Sequence, residues 1–291
     1  MNIIPGYTNL RRKLERNIMY ENNHLVKALA YRSQARVLFV ENTELVKAAC
    51  HQRMMHPLLR IALGRTVSAV SLLTGILKDN QRISLKIKTS HRDYKIFADA
   101  DAWGNVRGYI SDELLNAPPE YLHQSSLEQL IGSRGCMQIT KDIGMHATFT
   151  GITDMPYGNI VDDLSYYFQQ SEQTPTFFSL SIEMDESGSI VQSRGVMAQL
   201  LPGAPIELID RIKNDLLFSN FEDMQAVGKE PVRLFCGCSK DMLIPMLRAL
   251  DKEELADAYA AGRSIEIVCH VCGKAYSFQP DEIVGISGTQ Y

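Results

Sequence analysis

Four cysteines in the last part of the chain have the residue type and the spacing of metal ligands. Cys236 and Cys238 form a Cys-x-Cys pair, and after thirty intervening residues Cys269 and Cys272 form a Cys-x-x-Cys pair. Zn²⁺ binds four ligands tetrahedrally with Zn–S bonds of ~2.3 Å, and two such pairs supply four thiolates. We therefore predict one Zn²⁺ per chain, bound in the reduced protein by all four cysteines. His270 lies inside the second pair and is expected to be a bystander, because four sulfurs already fill the coordination shell.

Other interpretations of the cysteines stay open at this point. Such a pattern can arise by chance without a metal, and a zinc ion that only stabilises a small domain is a serious alternative, since most closed four-cysteine sites do just that. A thioredoxin-type motif should follow a strand and open a helix, whereas Cys269 is followed by a glycine and another predicted strand. A catalytic zinc keeps an open position, and we find no phosphate loop or nucleophile motif. We therefore expect no catalytic residues and no enzyme activity.

Oxidation would change the site in a defined way. The metal ties together the two halves of a domain across thirty residues, and such sites supply ~10–16 kcal/mol of apparent binding energy. If an oxidant attacks the thiolates, the two cysteines of each pair are already close enough to form a disulfide with each other. We expect two local disulfides, Cys236–Cys238 and Cys269–Cys272, which leave the two halves unlinked. A small domain with little core would then unfold, so zinc release and unfolding would be one event.

Composition excludes several classes of protein. The chain has 291 residues and a formal net charge of −4, which provides no basic field for phosphate backbones, so we expect no nucleic-acid partner. No apolar segment of signal-peptide length follows LRRKLER. Nowhere in the sequence is there a stretch of ~18 apolar residues without a charged residue. We therefore expect a cytoplasmic protein without a membrane segment.

Residues 1–23 show no similarity to the rest of the chain. We expect this stretch to be either a flexible extension or the result of a wrongly chosen start codon.

Hydrophobic patterning predicts a mixture of strands, hairpins and helices. The runs at 24–31 and 35–41 are typical of an antiparallel pair, Thr43 can cap a helix, and Pro57 opens an apolar helix over 58–78 that should be buried. A further helix is predicted within NIVDDLSYYFQQSEQ, and further strands at 83–88, 94–101, 106–111 and within CMQITKDIG, HATFTGI, FFSLSIEMD and SIVQSRGVMAQLLPG. Because strands and helices do not alternate strictly, the predicted class is α+β.

The domain organisation follows from where these patterns change. Residues 205–230 have helical patterns in IELIDRIKNDLLF and FEDMQAV and are predicted to connect two domains. We divide the chain into an extension at 1–23, a mixed α/β core domain with antiparallel strands at 24–204, a helical linker at 205–230 and a small zinc-binding domain at 231–291. Two more helical patterns, MLIPMLRAL and EELADAYAA, lie between the two cysteine pairs.

Several blocks resemble, in the same order, those of the redox-regulated 33-kDa heat-shock chaperones of bacteria. They are HLVKALA, ALGRT with LLTGILK, GNVRGYI, ITKDIG, DDLSYYFQQSEQTP and QLLPGA, followed by the two cysteine pairs. The resemblance covers the chain from about His24 onward. It implies a chaperone core domain at 24–204 and a redox-switch domain at 231–291.

The resemblance also implies a function. Such proteins are ATP-independent holdases that rest with zinc bound and become active when oxidants, combined with unfolding heat, expel the metal. They then bind unfolding client proteins, often as homodimers. Carried over by position, the zinc thiolates are Cys236, Cys238, Cys269 and Cys272, with the two disulfides named above. Cys50 and Cys136 match nothing in that signature and are expected to be buried small hydrophobes.

Departures from the family pattern bear on regulation more than on zinc binding. The linker between QLLPGA and Cys236 is shorter than is usual in that family, TSHRDY lacks the family's glycine and proline, and Arg194-Gly195 replaces a glycine pair. These features are compatible with a diverged member, so a constitutive protein-binding module with a purely structural zinc site is the alternative. In either case, the apolar stripe of the segment 205–230 must rest on something. That segment is the predicted source of apolar surface uncovered on activation.

Overall fold

The computed structural model describes residues 23–51, 55–124, 126–144, 147–218, 220–269, 271 and 274–287. The predicted N-terminal extension, apart from Asn23, lies outside these ranges. Two compact units share the chain, Met1–Leu234 and Phe235–Tyr291. The second unit therefore begins a few residues after the predicted start of the zinc-binding domain at 231.

Two antiparallel sheets form the framework of the first unit. The first sheet has the order β10-β1-β2-β9-β8, and all neighbouring strands in it are antiparallel. Its strands are β1 (His24–Ala30), β2 (Ala35–Glu41), β8 (Thr176–Met184), β9 (Ile190–Leu200) and β10 (Gln225–Pro231). The second sheet has the order β11-β5-β4-β3-β6-β7 and is antiparallel except where β11 joins β5. Its strands are β3 (Arg82–Lys88), β4 (Lys95–Asp101), β5 (Asn105–Ile110), β6 (Cys136–Asp142), β7 (Thr148–Asp154) and β11 (Arg233–Leu234).

Helices connect these strands and complete both units. The first unit contains α1 (Thr43–His51), α2 (Pro57–Leu73, followed by a 3-10 turn at Thr74–Ile76), α3 (Asp112–Leu115), α4 (Pro119–Gln124), α5 (Leu127–Ile131), α6 (Ile160–Ser171) and α7 (Leu208–Phe218). The second unit contains α8 (Lys240–Arg248), α9 (Lys252–Ala260), the hairpin of β12 (Ile265–Val268) and β13 (Ala275–Phe278), and α10 (Pro280–Ser287). The predicted α+β class is confirmed.

Helix α2 is the centre of the main core. Pro57 starts it, His56 caps it by accepting a hydrogen bond from the Leu58 N–H at 3.2 Å, and twelve of its seventeen residues are buried. The helix and its 3-10 extension are long and apolar enough to cross a membrane, yet 72% of that stretch is buried inside the protein. The core helix of a globular protein passes the same test of length and composition. The predicted buried helix is confirmed, although it ends before residue 78.

The helical prediction for the second half of the linker is wrong. FEDMQAV does not form a helix, and Gln225–Pro231 is a strand that pairs antiparallel with β1. The open edge of β1 offers a full ladder of hydrogen bonds, and this pairing outweighs a weak local preference. Gly228 and Pro231 also disfavour a helix at this point. The first half of the linker is helical as predicted, as α7.

The first sheet is buried on both faces. One face packs against α2 in the main core, and the other forms a separate cluster beneath α7 and the residues that follow it. We call the second face the covered face. Its buried strand residues are Val26, Ala28, Ala30, Ala35, Val37, Phe39, Val196, Ala198 and Leu200.

Gly195 allows α2 to approach β9 closely. A Cβ atom at this position would lie 2.8 Å from a Leu180 methyl carbon, 3.0 Å from one of Leu72 and 3.1 Å from one of Val40. Gly195→Ala should therefore overpack the core and lower the free energy of unfolding by about 1–3 kcal/mol. Urea unfolding followed by the fluorescence of Trp103, the single tryptophan, measures the change.

Gly228→Ala provides the matched control in a strand of the same sheet. No heavy atom lies within 4 Å of its added Cβ. The free energy of unfolding of this variant should therefore stay within about 0.5 kcal/mol of that of the parent protein. Equal midpoints for the two variants would contradict the tight packing at Gly195.

Candidate metal centre

The second unit has a small apolar core. Among the side chains that the structure describes, six are buried in it, contributed by α8, α9, β13 and α10: Leu243, Leu247, Leu255, Ala258, Phe278 and Ile283. On the surface, the Lys240 ammonium binds both carboxylate oxygens of Glu282 at 2.6 and 2.7 Å, and this hydrogen bonding lowers the pKa of Glu282. An exposed ion pair adds little stability, so a unit of this size needs a further source of stability.

The described cysteines reach the site from two segments of this unit. Cys236 and Cys238 lie in the extended stretch before α8, whose first turn is capped by the Ser239 hydroxyl, which accepts a hydrogen bond from the Met242 N–H at 3.3 Å. Cys269 directly follows β12, and its N–H donates to the Lys274 carbonyl at 2.9 Å, which closes the connection to β13. The hairpin and the helix cap thus fix both segments.

Three thiols come together at this point. The sulfur atoms of Cys236, Cys238 and Cys269 all lie within 4.8 Å of one another, and those of Cys236 and Cys269 are 3.6 Å apart. Tetrahedral zinc with ~2.3 Å bonds would place its sulfur ligands about 3.8 Å apart. The cluster could therefore hold a metal ion, and thiolate donors suit zinc. The predicted fourth ligand, Cys272, and the predicted bystander His270 lie outside the described residues.

Tyr276 on β13 is the further residue at the site. Its hydroxyl donates to the Cys238 carbonyl at 2.9 Å and lies 3.2 Å from the Cys238 sulfur. The Lys274 ammonium lies 4.9 Å from the centre of the Tyr276 ring. Sequence reasoning missed this tyrosine, because a tyrosine in a strand is already explained by β propensity.

Cys50 and Cys136 lie elsewhere, in the first unit. Cys50 is buried, and this burial raises the pKa of its thiol to about 12, so it is a poor nucleophile. Cys136 begins β6 and is only half-buried. The prediction of a buried small hydrophobe is thus correct for Cys50 and wrong for Cys136. Side chains alternate along a strand, so Cys136 lies on the face of β6 opposite the buried Met137 and Ile139.

Together, the fold and the site define an α+β protein with a two-sheet core and a C-terminal thiol cluster able to bind a metal. The family model described as Hsp33 protein matches residues 23–279. The chain therefore belongs to the Hsp33 family of heat-shock chaperones, and the resemblance predicted from the sequence is confirmed.

Similar proteins cover nearly the whole chain. The 33 kDa chaperonin of Bacillus subtilis is 29% identical over 286 residues, covering 91% of this chain and 98% of that protein. The 33 kDa chaperonin of Listeria monocytogenes is 30% identical over 292 residues, covering 90% and 97%. The crystal structure of the 33 kDa chaperonin (heat shock protein 33 homolog) from Thermotoga maritima matches with a TM-score of 0.76 and 22% identity, covering 92% and 98%. This structural match shows that the fold is shared.

Removal of one clustered thiol tests the metal centre. In the reduced parent protein we expect about one zinc ion per chain, measured by elemental analysis after dialysis against a weak chelator. Cys238→Ser should lose most of this zinc, because a serine hydroxyl is a poor zinc ligand at neutral pH. Cys136→Ser removes a half-buried thiol of the first unit and should retain it. Equal zinc contents in the two variants would rule out a role for Cys238 as a ligand.

Proposed function

We propose that the protein is an ATP-independent holdase that binds unfolding proteins and is gated by oxidation of its zinc site. In the resting state Cys236, Cys238, Cys269 and Cys272 would hold one Zn²⁺. Oxidation to the disulfides Cys236–Cys238 and Cys269–Cys272 would release the metal and activate the chaperone. The observation that carries the proposal is the cluster of three thiols in a unit with a small core, within a chain of the Hsp33 family.

The chemistry of the switch balances with peroxide as the oxidant. One pair of thiolates gives up two electrons and forms one sulfur–sulfur bond. Hydrogen peroxide takes those two electrons with two protons and becomes two molecules of water. Two equivalents of peroxide would oxidise both pairs, after which no thiolate is left to bind Zn²⁺ and the ion leaves to water.

Zinc loss would unfold the second unit because its own core is small. A structural zinc supplies about 10–16 kcal/mol of apparent binding energy at neutral pH. Burial of the side chains in the small core contributes about 1.5–3 kcal/mol each, which the conformational entropy of the chain already offsets, so little is left to hold the fold without the metal. The segments that carry Cys236 and Cys269 would then separate. This step ties the redox state of the thiols to the folding of the unit.

The linker 205–230 precedes Cys236 by a few residues in the sequence, and its last residues form most of strand β10. Strand β10 is an edge strand in which every residue is at least partly exposed, and its register with β1 shifts between Lys27 and Ala28. An ion pair between Lys27 and Glu230 at 2.6 Å supports it. Few buried side chains hold β10, so it is the strand of this sheet most easily detached.

Helix α7 and Phe221 shield the covered face. Ile212 and Leu216 are buried, and the Phe221 ring lies 6.0 Å from that of Phe39 and 6.4 Å from that of Tyr31. The Tyr31 hydroxyl also donates to the Asp215 carboxylate at 2.6 Å. Detachment of this cover would expose an apolar sheet face, which suits apolar segments of unfolding clients or a second copy of the chain.

One observation favours the alternative, a constitutive binding module with a structural zinc. The linker 205–230 and the strands β10 and β11 belong to the first unit and not to the unit with the cysteines. It could therefore stay in place when the second unit unfolds. The two functions differ in whether oxidation changes chaperone activity.

Zinc release and chaperone activity, followed together, test the proposal. Reduced protein is treated with hydrogen peroxide at moderately raised temperature, and released zinc and the aggregation of a chemically denatured client are measured in the same samples. We expect about one equivalent of zinc to leave as suppression of aggregation rises. Hydrogen exchange within 205–230 should rise in parallel. Activity that precedes zinc release, or that never follows it, would favour the constitutive module.

Weakening the cover should activate the protein without oxidant. Ile212→Ala removes a fully buried side chain between α7 and the covered face and should cost about 2–5 kcal/mol of packing. We expect it to suppress client aggregation in the reduced state while it retains its zinc. Leu217→Ala, on the same helix but 63% exposed, is the matched control and should stay inactive until oxidised. If both reduced variants are inactive, α7 does not shield the client surface.

A further inference from the structure

We infer that Tyr276 is a positioning residue of the zinc site, whose hydroxyl holds Cys238 and sets how readily that cysteine is oxidised. The inference deepens the proposed redox function and rests on it. It concerns a residue that is not itself a metal ligand.

The hydroxyl joins the two segments that carry the cysteines. Tyr276 pairs with Ile267 in the hairpin that leads into Cys269, whereas its hydroxyl donates across the site to the Cys238 carbonyl at 2.9 Å. This hydrogen bond fixes the backbone of Cys238 relative to the hairpin. It therefore pre-organises the two segments at the distance that one metal ion requires.

The same hydroxyl can act on the sulfur itself. It lies 3.2 Å from the Cys238 sulfur, so its one proton can be shared between the Cys238 carbonyl and a metal-bound thiolate. Such a bond withdraws electron density from sulfur and makes it less nucleophilic toward peroxide. The Lys274 ammonium, 4.9 Å from the ring centre, should strengthen the phenol as a donor, because a positive charge near the ring favours loss of electron density from the oxygen.

A purely structural role would depend on the ring and not on the hydroxyl. The Tyr276 ring packs against the small core of the second unit, and phenylalanine would preserve that packing. The two roles are therefore separable by removal of one oxygen atom.

The test uses the full-length protein with Tyr276→Phe. We expect zinc affinity to fall about 10-fold, measured by chelator competition, and zinc to leave at a lower peroxide concentration than in the parent protein. In the cobalt-substituted protein, the sulfur-to-metal charge-transfer band should move to lower energy at unchanged intensity. This shift reports the loss of a hydrogen bond to sulfur with the ligand number intact, which a change in packing alone would not produce.

Ser277→Ala is the matched control, because it removes an exposed hydroxyl from the next position of the same strand. It should match the parent protein in all three measurements. If Tyr276→Phe also matches the parent protein, the inference is wrong, whatever peroxide does to the parent. If the parent protein releases no zinc with peroxide, the proposed redox function fails, whereas the affinity and the cobalt spectrum still report on Tyr276.

Discussion

The second unit depends on one interaction, the meeting of the segment 236–238 with the hairpin that carries Cys269. Three sulfur atoms within 4.8 Å would repel one another as thiolates, and a divalent cation turns that repulsion into a bond. The apolar core nearby is too small to enforce the arrangement alone. With a metal bound as proposed, the unit would take much of its stability from a group that chemistry can remove.

The first unit is built on the opposite basis. Helix α2 buries twelve residues between the two sheets, and this apolar packing holds the helix in place without a bound metal ion. The covered face of the first sheet is different, since Ile212 and Leu216 are the only buried side chains among those described for α7, followed by Phe221. A sheet with one firmly packed face and one lightly covered face can lose the cover and keep its fold. Under the proposed function, this asymmetry would turn the covered face into a binding surface.

Much of this could be predicted from the sequence, and the failures have physical causes. The cysteine spacing predicted that the thiols come together, and three of the four, Cys236, Cys238 and Cys269, do so in the part of the chain that the structure describes. Periodicity located α2 and most strands. The strand Gln225–Pro231 was missed because its conformation is set by the edge of β1, a partner about two hundred residues away in the sequence. Tyr276 was missed because its role comes from a contact with Cys238 that no local pattern encodes.

The position of the linker explains why oxidation alone would be a weak trigger. Under the proposed function, loss of zinc would remove the folded unit after Leu234, but the buried side chains of α7 and the pairing of β10 with β1 belong to the first unit. Their packing free energy opposes detachment even when the second unit is unfolded. Raised temperature weakens this cover because the conformational entropy gained on detachment counts for more. A protein built in this way would respond to oxidant and heat together, which is the condition under which client proteins unfold.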